Sequence, residues 1–99
     1  MSEIQDNKAR VHIWVTGRVQ GVGFRAHVAY HAIEIGVNGW VRNVGMSTVE
    51  SIAEGERGQL ERFIEMVKQG PSSSRVNDAR VEWEPVTGEF VEFTVRRSM

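Results

Sequence analysis

The chain has 99 residues, 40% of them hydrophobic and 25% charged, and these values are typical of one globular domain over residues 1–99. No apolar run approaches the roughly 18 to 20 residues that a membrane-spanning helix needs. The formal net charge of −1 argues against broad nucleic-acid binding, because phosphate backbones are bound by clustered Lys and Arg side chains. The sequence contains no cysteine, which excludes disulfides, thiolate metal sites and a cysteine nucleophile.

The N-terminal segment, residues 1–9, is polar and mixed in charge. It lacks the basic start and the apolar stretch of a secretory signal peptide. We therefore expect a flexible N-terminus and a cytoplasmic location.

The first predicted strand and the first predicted helix flank a glycine-rich segment. Residues 10–16 alternate between apolar and polar side chains, which predicts a half-buried strand. Farther along, apolar residues recur at spacings of four, four and three and form one face of a helix. These residues are Phe24, Val28, Ala32 and Ile35. Gly36 follows them, where a left-handed helix cap is usual.

The middle of the chain has the pattern of a hairpin followed by a second helix. Two short strand-like stretches, 38–44 and 47–54, are separated by a few residues that include Gly45. After Gly55, a second apolar helical stripe ends near Gly70 and Pro71. The stripe consists of Leu60, Phe63, Ile64 and Val67.

The C-terminal third begins with a serine run, 72–74, which predicts a surface loop. Two alternating segments follow it and predict a fourth and a fifth strand. Their apolar residues are Ala79, Val81 and Trp83 in the fourth strand and Val91, Phe93 and Val95 in the fifth.

In chain order the predicted elements are βαββαβ, with one additional short strand at the C-terminus. This order indicates an α+β fold, the ferredoxin-like two-layer sandwich, in which two helices pack on one face of an antiparallel sheet. Each predicted helix has a single apolar stripe, so the other face of the sheet is expected to be open to solvent. We expect Trp14 to lie on that open face.

The segment between the first strand and the first helix, residues 17–25, has the properties of a phosphate-binding loop. Gly21 and Gly23 allow backbone amides to turn inward without obstruction by a Cβ atom. The helix behind them directs its free N–H groups and its dipole to the same place. Arg25, in the first helical turn, adds a planar donor fork that matches two phosphate oxygens. The residues expected to hold phosphate are Gln20, Gly21, Val22, Gly23, Phe24 and Arg25.

Gly21, Gly23 and Ala26 also satisfy a loose dinucleotide-binding fingerprint. That fingerprint requires an acidic residue at the end of the next strand. Here the next strand lacks it and continues directly into a hairpin, so we reject nucleotide binding.

The nine-residue string 17–25, GRVQGVGFR, closely resembles the signature of the acylphosphatase family, in which Gly-x-Val-Gln-Gly-Val-x-Phe-Arg recurs. The segment 39–43, GWVRN, resembles a second motif of that family, and further likeness appears in 48–50, 53–55 and 70–71. The resemblance covers roughly residues 10 to 97. It implies the ferredoxin-like fold and hydrolysis of carboxylic-phosphoric anhydrides without metal or cofactor. By motif position, it implies that Arg25 binds the phosphate and Asn43 positions a water molecule.

Two positions depart from the family pattern. The asparagine of the second motif is usually followed by a turn containing Asp-Gly, whereas here residues 44–47 read Val-Gly-Met-Ser. Ser51 occupies a strand position that is commonly apolar, and it is expected to loosen the core locally.

The residue types suit this reaction. The carboxylate that leaves an acyl phosphate is a weak base, so no strong general acid is required. Catalysis then consists of holding the phosphoryl group, neutralising its oxygens and placing a water in line with the breaking bond. Asn43 is neutral at all relevant pH values and can accept a proton of that water in a hydrogen bond, but it is not a conventional base. The bound phosphate itself remains a candidate for the base.

Two other readings are weaker. His27 and His31 could share a helix face, but Val28 stands where a zincin requires Glu and no third ligand is evident, so we expect no metal site. His12 and Trp14 could form a stacking platform for RNA, but the third strand lacks the aromatic residues of an RNA-recognition module. The remaining aromatic residues are expected to lie in the core: Trp40, Trp83 and Phe93.

The sequence therefore predicts a monomeric acylphosphatase whose partners are acyl phosphates, with inorganic phosphate or sulfate as product or inhibitor, and no nucleic acid or membrane. The alternative is a non-catalytic ferredoxin-like module that uses the same loop to bind a phosphorylated metabolite. Turnover of an acyl phosphate separates the two.

Overall fold

The computed structural model describes residues 7–99 and has the predicted order of elements. The strands and helices are β1 (Lys8–Arg18), α1 (Phe24–Ile35), β2 (Asn38–Val44), β3 (Thr48–Glu56), α2 (Arg57–Gln69), β4 (Arg75–Glu84) and β5 (Phe93–Val95). The start of β1 corrects one expectation. Lys8 and Ala9, predicted to be flexible, pair with the end of β3. The rest of that predicted flexible segment, residues 1–6, lies outside the described part of the chain.

The five strands form one sheet in the order β4-β1-β3-β2-β5. The prediction of an antiparallel sheet holds for β1 to β4, whereas β5 lies parallel to β2. The reason is the path of the chain, because β4 ends at the same end of the sheet where β2 begins. The connection crosses that end, so β5 enters beside β2 and runs in the same direction.

The segment that makes this crossing, residues 85–92, is anchored to a buried carboxylate. Glu54 accepts hydrogen bonds from the Thr87 N–H at 2.9 Å, the Thr87 hydroxyl at 3.1 Å and the Gly88 N–H at 3.0 Å. Arg10 donates to the same carboxylate at 3.3 Å. Burial alone would raise the pKa of Glu54, but these donors hold it below its usual value. Glu54 therefore orders a stretch that has no regular secondary structure.

Both helices pack on one face of the sheet. α2 begins three residues before the predicted stripe because Glu56 and Gln59 form a capping box, in which Gln59 Oε1 accepts from the Glu56 N–H at 2.9 Å. The core between the layers is formed by Val11, Ile13, Val15, Phe24, Val28, Ala32, Val41, Val49, Leu60, Phe63, Val67 and their neighbours. Within residues 7–99, neither helix is long and apolar enough to cross a membrane.

Three details of side-chain placement test the sequence predictions. Trp40 and Phe93 are buried as predicted, but Trp83 is 39% exposed because it lies on the edge strand β4, where the Arg57 guanidinium is 4.0 Å from its ring centroid. Ser51 is buried, and its hydroxyl donates to the Trp40 carbonyl at 2.7 Å. This hydrogen bond satisfies the polar group, so the expected loosening of the core is not observed.

The open face of the sheet holds a buried acid, Glu50, between the side chains of Arg42 and His12. Arg42 Nε donates to Glu50 at 2.8 Å, and His12 Nε2 lies 2.6 Å from the other carboxylate oxygen. The His12 ring stacks on Trp14 with 3.8 Å between centroids, and Trp14 lies on this face as predicted. Burial alone would raise the pKa of Glu50, but the hydrogen bonds from His12 and Arg42 hold it below its usual value.

This depressed pKa predicts an acid-dependent stability. The ionised Glu50 carboxylate stabilises the fold above its ordinary pKa of 4.5, and this contribution is lost as the pH falls through the lower folded-state value. We expect Glu50→Gln to reduce the free energy of unfolding by about 1.5 to 3 kcal/mol at pH 7, because two hydrogen bonds to a charged acceptor are weakened. In urea unfolding experiments, the difference in free energy of unfolding between wild type and Glu50→Gln should narrow between about pH 5 and pH 3, because wild-type Glu50 becomes protonated in that range.

Glu82→Gln is the matched control, because Glu82 is exposed and pairs with exposed Arg80. It should have a small effect at every pH. If the free energies of unfolding of wild type and Glu50→Gln differ by the same amount at every pH, the stability does not come from ionised Glu50.

Candidate active site

The loop between β1 and α1 is shaped by glycines with left-handed backbone conformations. Gly21 has φ 73° and Gly23 has φ 76°, values that side-chain-bearing residues rarely adopt. Between them the chain turns back toward the helix, while Val19 is fully buried and fixes the loop to the core. The local sequence thus makes a narrow turn with an accessible backbone.

The start of α1 has the features of an anion-binding helix terminus. Gly23 is the N-cap and has no side chain to satisfy the first amides, and the first helical hydrogen bond runs from the His27 N–H to the Gly23 carbonyl at 3.0 Å. The amides of residues 24–26 therefore have no acceptor within the helix. No acidic residue lies in the first turn to compete for them. The positive end of the helix dipole is available to an anion.

These amides open into a cavity of about 260 Å³. The residues that line it are Val19, Gln20, Gly21, Gly23, Phe24, Arg25, Ala26, Asn43 and Val95. The structure thus brings Arg25 and Asn43 together, along with four others of the six residues predicted to hold phosphate. Val22 does not line the cavity, because its side chain packs against the core and its carbonyl accepts a hydrogen bond from Ser73 at 3.1 Å.

Arg25 is held by the C-terminal segment of the chain. Its Nη1 donates to the Arg96 carbonyl at 3.0 Å. This contact orients the guanidinium and leaves the edge formed by Nε and Nη2 for a planar, two-oxygen acceptor. The half-buried position of Arg25 strengthens such a charge interaction relative to one in bulk water.

Asn43 owes its position to strand alternation. Val41, two residues earlier, points into the core, so Asn43 projects from the same face of β2, near the end of the strand. Its backbone carbonyl accepts from the Met99 N–H at 2.8 Å, and β3 pairs on its other side. The side chain is therefore carried on paired backbone at the rim of the cavity.

The loop and the β2–β3 hairpin are also joined directly. The Gly17 N–H donates to the Ser47 carbonyl at 3.1 Å, and the Gln20 side chain contacts further carbonyls of the hairpin. The two segments that carry the predicted site residues are thus hydrogen-bonded to each other.

Sequence reasoning missed three residues that line this cavity, Val19, Ala26 and Val95, and it missed the contact of Arg96 with Arg25. Val95 lines the cavity because parallel pairing places β5 beside β2, and the Arg96 carbonyl reaches Arg25 for the same reason. Both follow from a contact between distant parts of the chain, and no local pattern signals them. Ala26, in contrast, could have been inferred from its place in the first turn of the predicted helix.

The two helical histidines lie outside the cavity lining. The rings of His27 and His31 are 4.5 Å apart, and burial, together with repulsion from His31, lowers the pKa of His27. His31 Nδ1 lies 3.2 Å from the Glu34 carboxylate. Among residues 7–99, no three acidic or histidine side chains are grouped so that they could hold a metal ion.

Comparison with known proteins places the chain in one family. A model of the acylphosphatase family matches residues 11–95. An acylphosphatase of Roseiflexus sp. (strain RS-1) is 45% identical over 87 residues, which span 88% of this chain and 94% of the relative. The crystal structure of acylphosphatase from Bacillus subtilis has a TM-score of 0.85 and 38% identity, covering 89% of this chain and 98% of that one. An acylphosphatase structure from Coxiella burnetii has a TM-score of 0.87 and 34% identity, covering 97% and 100% of the two chains.

The helix terminus generates a prediction about anions. Added phosphate or sulfate should shift the backbone amide resonances of residues 20–26, because these amides and the Arg25 guanidinium surround the cavity. A titration followed by ¹⁵N–¹H NMR would measure this, with the amides of α2 as the internal control. Saturable shifts at some other surface, with the loop unchanged, would contradict the placement of the anion.

Proposed function

This chain belongs to the acylphosphatase family, and we propose that Arg25, the amides at the start of α1 and Asn43 together form its catalytic site. The chain is accordingly an acylphosphatase that acts on small-molecule acyl phosphates. The observation that carries the proposal is that one cavity is lined by the Arg25 and Asn43 side chains and by the unpaired helix start.

In the proposed reaction, a water oxygen forms a bond to phosphorus while the bond between phosphorus and the acyl oxygen breaks. The electron pair of that bond leaves with the carboxylate. Both protons of the water end on the released phosphate, so the dianionic acyl phosphate yields a carboxylate and monoanionic dihydrogen phosphate. A phosphoryl oxygen of the substrate can accept the proton of the attacking water, so the step needs no separate protein base.

Charge neutralisation in this scheme comes from Arg25 and from backbone dipoles. The Nε and Nη2 edge of Arg25 faces two phosphoryl oxygens, and the amides of the loop and the first helical turn face the third. These donors are fixed before the substrate arrives, because the Arg96 carbonyl holds Arg25 and the helix holds its own amides. They therefore stabilise the charge that spreads over the phosphoryl oxygens without reorganising.

Asn43 acts on the water in this proposal. Its side-chain oxygen accepts a hydrogen bond from the attacking water, which orients a lone pair of that water toward phosphorus. The position at the cavity rim supports this role, since the water must approach from the side opposite to the leaving carboxylate.

Few side chains of the cavity are available to contact the acyl group and select among substrates. Val95 is half exposed and gives the cavity an apolar wall, and among the lining residues only Arg25 carries a charge. We propose broad use of acyl phosphates, with released phosphate binding as a competitive inhibitor. We further propose a cytoplasmic monomer, and the lack of cysteine supports the cytoplasmic location.

The first test of the proposed roles is Arg25→Gln. We expect hydrolysis of benzoyl phosphate in the presence of EDTA to fall by about 10³ to 10⁵ in rate, because the only charged donor of the cavity lining is removed. Phosphate affinity should fall as well. The measurement is steady-state kinetics together with inhibition by inorganic phosphate.

Arg62→Gln is the matched control, because Arg62 is an exposed arginine of α2, outside the cavity. It should leave both kcat and phosphate inhibition unchanged. If folded Arg25→Gln keeps as much as about a tenth of the wild-type rate, the phosphate is held elsewhere.

The second test is Asn43→Ala, which should lower kcat by about 10² to 10³, the usual cost of deleting one preorganised transition-state contact. The inhibition constant for phosphate should change little, because Asn43 contacts water and not phosphate. Arg25→Gln should therefore lower both the rate and the affinity for phosphate, whereas Asn43→Ala should lower kcat alone.

Asn38→Ala, at the other end of the same strand, is the control for backbone effects. A thermal melt of each variant distinguishes loss of chemistry from loss of fold. If folded Asn43→Ala keeps its kcat and loses phosphate affinity, Asn43 belongs to the phosphate-binding set and another group positions the water.

A further inference from the structure

The side chain of Gln20 faces the β2–β3 hairpin. Its amide nitrogen lies 2.9 Å from the Thr48 carbonyl, 3.2 Å from the Gly45 carbonyl and 3.4 Å from the Val44 carbonyl. These three acceptors come from the last residue of β2, from the turn and from the first residue of β3. One side chain therefore contacts both strands and the turn between them.

The chemistry of these acceptors indicates why a glutamine amide is required. Three carbonyl oxygens converge on one point, and their partial negative charges repel one another unless a donor lies between them. A primary amide has two N–H groups, so it satisfies two carbonyls fully and shares a hydrogen with the third. Since its donors are used here, Gln20 can offer only its backbone N–H to a phosphate.

The paired strands of this hairpin end in an exposed turn. Met46, at the tip of the turn, is 93% exposed, and its neighbours Gly45 and Ser47 are exposed as well. The Gly17 N–H, near the end of β1, also holds this turn by donating to the Ser47 carbonyl at 3.1 Å. Asn43 directly precedes Val44, so any shift of the Val44 carbonyl is transmitted to it.

We propose that Gln20 is a positioning residue for catalysis, which sets the distance of Asn43 from the phosphate-binding loop by holding the carbonyls of residues 44, 45 and 48. It acts through Asn43 and not on the phosphate. The inference rests on the proposed role of Asn43 in orienting water.

The test is a double-mutant cycle with Gln20→Met, which keeps the length of the side chain and removes both donors. We expect kcat to fall about tenfold, because a small displacement of an orienting group is costly, while phosphate inhibition stays within about twofold of wild type. In the Asn43→Ala background, Gln20→Met should cause no further loss. Gln59→Met is the matched control, because Gln59 also donates to a carbonyl, that of Ile35, but far from the cavity.

A second variant keeps the test decisive if Gln20→Met does not fold. Gln20→Lys places three N–H donors against the three carbonyls, and its kcat should lie within about threefold of wild type. If folded Gln20→Lys loses as much kcat as Asn43→Ala, the inference is overturned.

Two other results would also overturn it. One is a raised phosphate inhibition constant with normal kcat in Gln20→Met, which would make the side chain part of the phosphate site. The other is an equal loss of kcat with and without Asn43, which would mean that Gln20 acts independently of it. If Asn43→Ala keeps its kcat, the proposed role of Asn43 in orienting water is wrong. The double-mutant cycle distinguishes this result from a failure of the proposed role of Gln20, because it measures each single variant separately.

Discussion

The register of β3, held between β1 and β2, is the constraint on which the site depends. Thr48 pairs with Thr16 of β1 on one side and with Val44 of β2 on the other. The end of β1, from which the proposed phosphate-binding loop departs, is therefore two strand spacings, or roughly 10 Å, from the end of β2 that carries Asn43. Since a slip by one residue would reverse every side chain of β3, the buried residues of that strand fix this separation. The geometry of the proposed site follows from the packing of the core.

The charge of the site is local and does not depend on the net charge of the chain. In the proposed site the anion lies where a helix begins, although the chain has a formal net charge of −1, because the peptide dipoles and unpaired amides of α1 supply positive potential at that point. Arg25 adds one full charge to the same place. Glu50 and Glu54, the buried acidic residues within residues 7–99, lie on the opposite face of the sheet, where an arginine and other hydrogen-bond donors pair with each of them. The two sets of charges are thus separated by the sheet and its core.

The crossing segment, residues 85–92, links structural stability to the site. Glu54 binds its backbone, and the segment delivers β5 to the edge of β2. From that edge the chain continues past Arg25 and Asn43, where the Arg96 carbonyl and the Met99 N–H contact them. A carboxylate on the open face therefore helps to determine the path of the segment that orients the guanidinium, although it contacts neither the substrate pocket nor its residues.

The sequence alone determined the elements and most of the site because both have local signals. The spacing of apolar residues predicted both helices, and the glycine after the first stripe predicted the cap at Gly36. The strand-like stretch 38–44 predicted β2 with its observed bounds. The motif 17–25 predicted a helix start with an arginine in its first turn. The tertiary structure decided what depends on contacts between distant residues. These include the parallel direction of β5, the partial exposure of Trp83, and the contacts of Val95 and Arg96 with the cavity and with Arg25. It also decided the partners of Gln20, because a side chain's hydrogen bonds to a hairpin more than twenty residues away follow from the register of the sheet and leave no periodic pattern in the sequence.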